Sequence, residues 1–176
     1  MSGTDIHIPT LRTERLILRA PRPADLAPFA AFYASDAARF VGGPRAEWET
    51  WRYLCEVIGH WHLRGYGRWI VTAQDDDAAL GLIGLHAPLD WPEPEVGWML
   101  WDGRGRGIAT EAARAARDWA YGTLGMTTLI SSIDPGNAAS IALATRMGAA
   151  REGVFTHPKY GPVDIWRHPA AAEGAA

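Results

Sequence analysis

The chain has a single cysteine, Cys55, in 176 residues. That excludes an internal disulfide and any cysteine-rich metal site, so no metal is expected and a reducing cytoplasm is the expected address. No apolar run approaches the roughly 18 residues needed to cross a bilayer, and the N-terminus shows no secretory apolar region; no membrane partner is expected. Charge of either sign is in modest supply. Seventeen Lys and Arg against 20 Asp and Glu give a net charge of −3 and a pI near 6.0. With no basic stripe to neutralise phosphates, nucleic acid is not expected as a partner. Repeats and a second domain are also lacking, and the length suits one domain around a single core. A hydrophobic content of 48% and a charged content of 21% describe an ordinary globule.

Tryptophan is plentiful: there are nine. Trp61, Trp69, Trp91, Trp98 and Trp101 bracket segments expected to shape a cleft. Aromatic walls suit a substrate with an apolar body and one polar handle, although for any single ring core packing is the favoured reading.

Periodicity orders the elements. Residues 1–10 read as a loose lead-in and Arg15 to Ala20 as a strand. Pro23 opens a helix carrying Leu26, Phe29, Ala30 and Tyr33. A second helix spans about Pro44 to Leu63, with Trp48, Trp51, Cys55, Ile58 and His62 forming its apolar face; Cys55 there is expected to be a buried, inert thiol. Arg68 to Gln74 and Ala79 to His86 read as a hairpin closed by Asp75-Asp76-Asp77, and Trp91-Pro92-Glu93-Pro94 as an extended loop. Then come a fourth strand, Glu95 to Trp101, a helix, Arg104 to Tyr121, a strand, Thr127 to Ile133, and a helix, Ala138 to Met147. Gly148 sits where a left-handed C-cap belongs. Two strands, Ala149 to Thr156 and Val163 to His168, precede a tail from Pro169 that is expected to be mobile.

The stretch between the fourth strand and its helix, Arg104-Gly105-Arg106-Gly107-Ile108-Ala109-Thr110-Glu111, has the makings of an anion cradle. Glycines let the backbone approach a ligand, the first N–H groups of a helix have no partner inside it, and the helix dipole favours negative charge there. Two familiar cradles are ruled out by spacing. Gly107 is followed by Ile108-Ala109 rather than Lys-Ser/Thr, which excludes a P-loop. No third Gly or Ala completes a dinucleotide fingerprint, which sets a nucleotide-binding dehydrogenase aside.

Arg104-x-x-Gly107-x-Ala109 is similar to the acyl-CoA signature of GNAT N-acetyltransferases. Asp134-Pro135-Gly136-Asn137-Ala138-Ala139-Ser140, ending at Met147-Gly148-Ala149, resembles the N-x-x-S…G block of the same family. The opening Leu11-Arg12-Thr13-Glu14-Arg15-Leu16-Ile17-Leu18-Arg19 resembles the branch of the ribosomal-protein N-acetyltransferases (RimJ/RimL-like). The resemblance spans roughly residues 11–167. It implies one α/β (α+β) domain over residues 11–168: a mixed, mostly antiparallel, twisted sheet of about seven strands with about four helices, splayed between its fourth and fifth strands.

The resemblance also implies acetyl-CoA as co-substrate. Its pantetheine arm would pair with the backbone of Trp98, Met99 and Leu100, and its pyrophosphate would sit on N–H groups of Arg104, Gly105, Arg106, Gly107, Ile108, Ala109 and Thr110. The loop from Leu100 to Gly107 is one residue shorter than the common form. Asn137 is a good N-cap for the next helix, and in the family its side chain also bonds the cofactor arm. Glu95 stands where histone-acetyltransferase relatives carry their base, to act directly or through water; otherwise it is a solvated strand-end carboxylate. Another part of the family carries its base at the position of Ser132. The tyrosine that many members use to protonate the leaving thiolate is replaced here by Ala144, which leaves Ser140 as the nearest hydroxyl. Trp69, His86 and Trp91 are candidates for lining the acceptor pocket.

The expected activity is transfer of an acetyl group from acetyl-CoA to a primary amine, directly within a ternary complex, by a monomer or homodimer. The amine is either a protein N-terminal α-amine or a small molecule. The alternative is a non-catalytic acyl-CoA-binding or regulatory module, suggested by the absent tyrosine.

Overall fold

The computed structural model describes residues 6–170. Twelve elements follow one another: β1 (Leu11–Arg12), β2 (Leu16–Arg19), α1 (Leu26–Tyr33), α2 (Glu47–Arg64), β3 (Arg68–Ala73), β4 (Gly81–His86), β5 (Glu95–Leu100), α3 (Ile108–Leu124), β6 (Ile130–Ile133), α4 (Ala138–Arg146), β7 (Ala150–His157) and β8 (Gly161–Arg167). Short 3-10 turns, Pro23–Asp25 and Asp36–Val41, flank α1. All eight strands form one sheet in the order β1-β2-β3-β4-β5-β6-β8-β7, antiparallel except for β5 and β6. The strand beyond the expected seven is the two-residue β1, which makes the expected fourth strand β5.

Strand alternation divides the core. Trp69 and Val71 of β3, Ile83 and Leu85 of β4, and Val96 of β5 face α3, whose small buried residues Ala112, Ala113, Ala116 and Ala120 allow close helix–sheet contact. Ile70, Leu82 and Met99 face the other way, against Phe29, Phe32 and Tyr33 of α1 and Tyr53, Leu54 and Val57 of α2. Helices therefore cover both faces, and α1–α2 roof the face that carries Arg68, His86, Glu95 and Gly97.

The second helix corrects the sequence reading. Its buried positions are Thr50, Tyr53, Leu54, Val57 and Trp61, while Trp48, Trp51 and Cys55 are exposed. Three apolar residues at helical spacing lie on the outer face because the aromatic-rich α1 is packed by Tyr53 and Leu54. The helix also begins later than expected. Glu49 accepts a hydrogen bond from the Ala46 backbone N–H at 2.8 Å, and Gly65, at φ +75°, closes the C-terminus.

Part of the expected loose lead-in is docked: Ile8 packs on the α3-side core, and the Pro9 carbonyl accepts the Trp69 indole N–H at 2.7 Å. The Pro169 carbonyl, where the tail begins, accepts the Tyr121 hydroxyl at 3.0 Å; the rest of the tail, 171–176, lies outside the described residues. Among the described residues no helix is long and apolar enough to cross a membrane.

Candidate active site

Strands β5 and β6 pair at one register position, Glu95 with Ile130, and then diverge. The splay leaves strand backbone without a ladder partner, and the Ser131 hydroxyl takes up part of the deficit by donating to the Val96 carbonyl at 2.6 Å. A cleft of about 670 Å³ opens at this point. Trp98 and Met99 of β5 line it from one side, and Asn137 and Ser140 of α4 from the other. Its far end is walled by the loop after α1, by Tyr53, by Trp91 and by the β7–β8 turn.

Within the splay, the Trp98 indole N–H donates to the Ser140 hydroxyl oxygen at 3.1 Å. Ser140 thus accepts from Trp98 and keeps its own proton to give, and a hydroxyl that accepts a bond becomes a better donor. The Asn137 side chain accepts the Ser140 backbone N–H at 3.2 Å, so it is the N-cap of α4. Ala144 is fully buried against Ile133 and Ala149, so its position points into the core.

The glycine loop runs ahead of α3. The helix begins at Ile108, four residues later than Arg104, where the sequence reading placed it, because Gly103, Gly105 and Gly107 adopt φ of +72°, +78° and +79°. Glu111 is the first residue to donate back into this turn, to Gly107 O at 3.1 Å, so the amides of Ile108, Ala109 and Thr110 have no acceptor inside the helix. A methyl group built at Gly105 meets nothing within 4 Å, and at Gly107 only Arg15 Nη2 at 3.4 Å. Neither position is crowded by the rest of the protein. Arg104 folds back onto the Leu100 carbonyl at 3.1 Å, and Arg15 braces the loop by donating to the Arg106 carbonyl at 3.0 Å while pairing with Glu111 at 2.6 Å. These residues fit an acyl-CoA: donors for a pyrophosphate beside a splayed strand that can pair with an amide-bearing arm. Among the described residues no cluster of His, Cys, Asp or Glu could hold a metal.

Glu95 is not a solvated strand-end carboxylate. It is 5% exposed, its Oε1 is 3.1 Å from Arg68 Nη2, and its Oε2 accepts the Ser132 backbone N–H at 3.2 Å. Arg68 also donates to the Tyr53 hydroxyl. Burial opposes the Arg68 charge, but attraction to Tyr53 and Glu95 wins and holds its pKa above the ordinary value. Burial also raises the Tyr53 pKa, so that hydroxyl stays protonated. His86 lines the cleft and stacks on His60 with ring centres 5.5 Å apart. Burial, then Arg68 and His60, pushes its pKa down to about 2, so it is neutral at physiological pH.

The GNAT acetyltransferase domain family matches residues 15–150. The chain belongs to this family. An acetyltransferase of Agrobacterium tumefaciens is 37% identical, with a TM-score of 0.85 over 96% of this chain and 98% of that one. A Bacillus subtilis (strain 168) protein, the uncharacterized N-acetyltransferase YoaA, is 28% identical over 157 residues, covering 86% of this chain and 89% of its own length. RimL, a ribosomal α-N-protein acetyltransferase solved in complex with coenzyme A, shares the fold at 18% identity and a TM-score of 0.73, covering 89% of this chain and 95% of its own.

Against this GNAT frame the predicted site residues divide. Glu95, Trp98, Met99, Asn137 and Ser140 come together in the cleft, which His86 and Trp91 also line. The glycine loop lies beyond the cleft's lining, reached through Leu100. Trp69 is a correction: it is fully buried on the α3 face with Trp61 and Trp119, on the opposite side of the sheet. Its neighbour Arg68 faces the cleft instead, because one residue along a strand reverses the face. Trp61 and Trp101 are packing residues too, donating to the carbonyls of Arg68 and Ala79 at 2.9 and 2.6 Å.

Sequence reasoning missed Arg68, Tyr53, Arg45, His157 and Tyr160, all of which line the GNAT cleft. One signal was available: Arg68 opens a strand that is otherwise buried, and a buried arginine needs an anionic partner. The other four gain their place only from tertiary packing. His157, for example, accepts backbone N–H groups from Lys159 and Tyr160 at 3.0 and 3.2 Å, and its other ring nitrogen lies 3.1 Å from Asp90, which ties the Trp91 loop to the β7–β8 turn.

Proposed function

We propose that the chain is an acetyl-CoA-dependent N-acetyltransferase that acetylates a primary amine directly, within a ternary complex. The single observation that carries this reading is the β5–β6 splay, which opens beside a glycine-led helix N-terminus at one end and an aromatic-walled cleft at the other. The bound thioester supplies an acyl carbon open to attack. Backbone of Trp98, Met99 and Leu100 would orient it, and the amides of Gly107 to Thr110 would hold its phosphates.

The amine must shed its proton before it can attack. Glu95 has two of its acceptor positions taken by Arg68 and Ser132. A carboxylate offers about four, so a water can still bind and relay the proton. In the transfer one N–C bond forms and one C–S bond breaks; the amine loses a proton and the departing thiolate receives one. The Ser140 hydroxyl, polarised by Trp98, would donate to the sulfur as its charge develops. The lone cysteine is exposed and lies on the outer face of α2, which supports direct transfer over an acetyl-cysteine relay. A reducing cytoplasm is the setting that suits a free surface thiol.

The test is thiol release: acetyl-CoA incubated with a panel of α-amines and small-molecule amines, with free CoA and acetylated product measured together. Binding of acetyl-CoA without CoA release from any amine would instead support the non-catalytic module.

A further inference from the structure

The acceptor end of the cleft holds more hydrogen-bond donors than the protein satisfies. Five buried side-chain polar atoms among the described residues have no protein partner, and three of them, Arg68 Nε, Trp91 Nε1 and Ser132 Oγ, belong to residues lining this cleft. An unpaired buried donor is costly, and in native proteins such groups concentrate where a ligand completes them. Guanidinium and indole N–H groups can only donate. What they meet must therefore bring oxygen acceptors.

Arg45 adds a charge to that requirement. Its Nε donates to Gly42 O at 3.1 Å, and its guanidinium carbon lies 4.6 Å and 4.7 Å from the ring centres of Tyr33 and Tyr53. The side chain is thus held in one place, with neither terminal nitrogen given an acceptor among the described residues. It stands at the mouth: a methyl group built at Gly42 would lie 3.0 Å from Arg45 Nη2 and 3.3 Å from the Tyr160 hydroxyl. Tyr160 in turn packs towards Trp91, with ring centres 6.1 Å apart. Arginine and indole therefore flank the same opening.

The carboxylates of the cleft are already engaged. Glu95 pairs with Arg68, Asp90 with His157, and Asp134 accepts the Gly136 backbone N–H at 2.7 Å. Arg45, by contrast, has no carboxylate partner among the described residues, so an anion would find a preorganised guanidinium.

We propose that this end of the cleft takes an amine that also carries a carboxylate, with the carboxylate bound by Arg45 and Trp91 Nε1 donating from the facing wall. The inference deepens the N-acetyltransferase reading and rests on it. Free amino acids and peptides with an acidic side chain near the N-terminus both carry the required group.

The experiment compares kcat/KM for CoA release from acetyl-CoA with free L-amino acids, their C-terminal amides, acidic and neutral dipeptide amides, and spermidine. One charge-assisted hydrogen bond corresponds to about tenfold or more in preference. The acids should be preferred over the matched neutral amines by that margin. Arg45→Gln should bring the ratio close to one, and Trp91→Phe should reduce it in part, with melting temperatures showing that both variants fold. Preference for free acids identifies an amino-acid acceptor, and preference for acidic dipeptide amides a peptide. Equal use of neutral amines or spermidine by the wild type, or an acid preference untouched in Arg45→Gln, overturns the proposal. Failure of the enzyme reading looks different: no amine releases CoA. Calorimetry on the CoA-loaded protein then decides, because acids binding more tightly than their amides sustain the anion site and equal binding overturns it.

Discussion

Arg68 of β3 and Glu95 of β5 meet at 3.1 Å across an intervening strand, because the residues between them in register are glycines. Arg68 pairs with Gly84, and Gly84 with Gly97. A methyl group on Gly97 would lie 2.9 Å from Arg68 Nη2, and one on Gly84 would strike Gly67 O at 2.6 Å. Gly97 leaves the space that the guanidinium fills, and Gly84 lets the β3 backbone lie close beside β4.

Removing one member of this pair should therefore cost more than removing both. Arg68→Met leaves Glu95 charged and buried, at about 3–5 kcal/mol of stability. The double variant Arg68→Met with Glu95→Gln should recover much of that loss in chemical denaturation. Glu95→Gln alone should lower the rate on the order of 10²-fold with acetyl-CoA affinity nearly unchanged. A fully additive double variant would show that the pair is not coupled.

Gly107 tests the phosphate cradle. At φ +79° it sits where an L side chain is strained, by roughly 1–2 kcal/mol. Gly107→Val should thus lose some stability as well as most acetyl-CoA affinity. The matched control is Gly125→Val at the other end of α3, φ +66°, which carries similar strain away from the loop. Calorimetry should show weakened binding only in the first; equal binding in both would remove the cradle.

Ser140 and Asn137 should separate rate from stability. Ser140→Ala takes the acceptor from the Trp98 indole N–H and the donor from the sulfur, so turnover should fall more than acetyl-CoA affinity. Asn137→Ala loses the cap of α4 and about 1 kcal/mol, together with cofactor affinity. Steady-state kinetics beside melting temperatures distinguish the two, and a normal turnover number in Ser140→Ala would leave it a helix residue.

Stability should decline on acidification from pH 6.5. Burial lowers the His168 pKa to about 4 and the His86 pKa to about 2. Between each folded value and the ordinary 6.5 the unfolded chain binds the proton and the folded chain does not, so stability rises with pH through that window. It is complete above pH 6.5 and is lost as pH falls towards 4 for His168 and further down for His86. For His168 the loss amounts to about 3 kcal/mol. Denaturation midpoints should fall with acidification across this range, and His168→Gln should weaken that pH dependence; an unchanged dependence would mean that the imidazole is not held neutral.

Much of this was legible in the sequence wherever backbone chemistry dictates structure. The glycine loop, the Asn137 cap and the strand carrying Glu95 are local features, set by φ, by side-chain-to-backbone bonding and by a period of two. The buried face of α2 was not, because Trp48, Trp51 and Cys55 keep helical spacing while the packing surface is chosen by α1. Trp69 failed for a related reason: hydrophobicity says that a strand residue is buried but not on which face of a two-sided sheet. Arg45 and Tyr160 reach the cleft only through tertiary packing of distant segments, to which no local pattern points, whereas Arg68 was marked by its place at the head of a buried strand.

The most direct measurement of the central claim follows free CoA and acetylated amine together in one reaction of the purified protein with acetyl-CoA and a carboxylate-bearing amine. The two products should appear in equal amounts, and the rate of both should fall about 10²-fold with Glu95→Gln. Acetyl-CoA that binds and stabilises the protein but yields no thiol with any amine would contradict it.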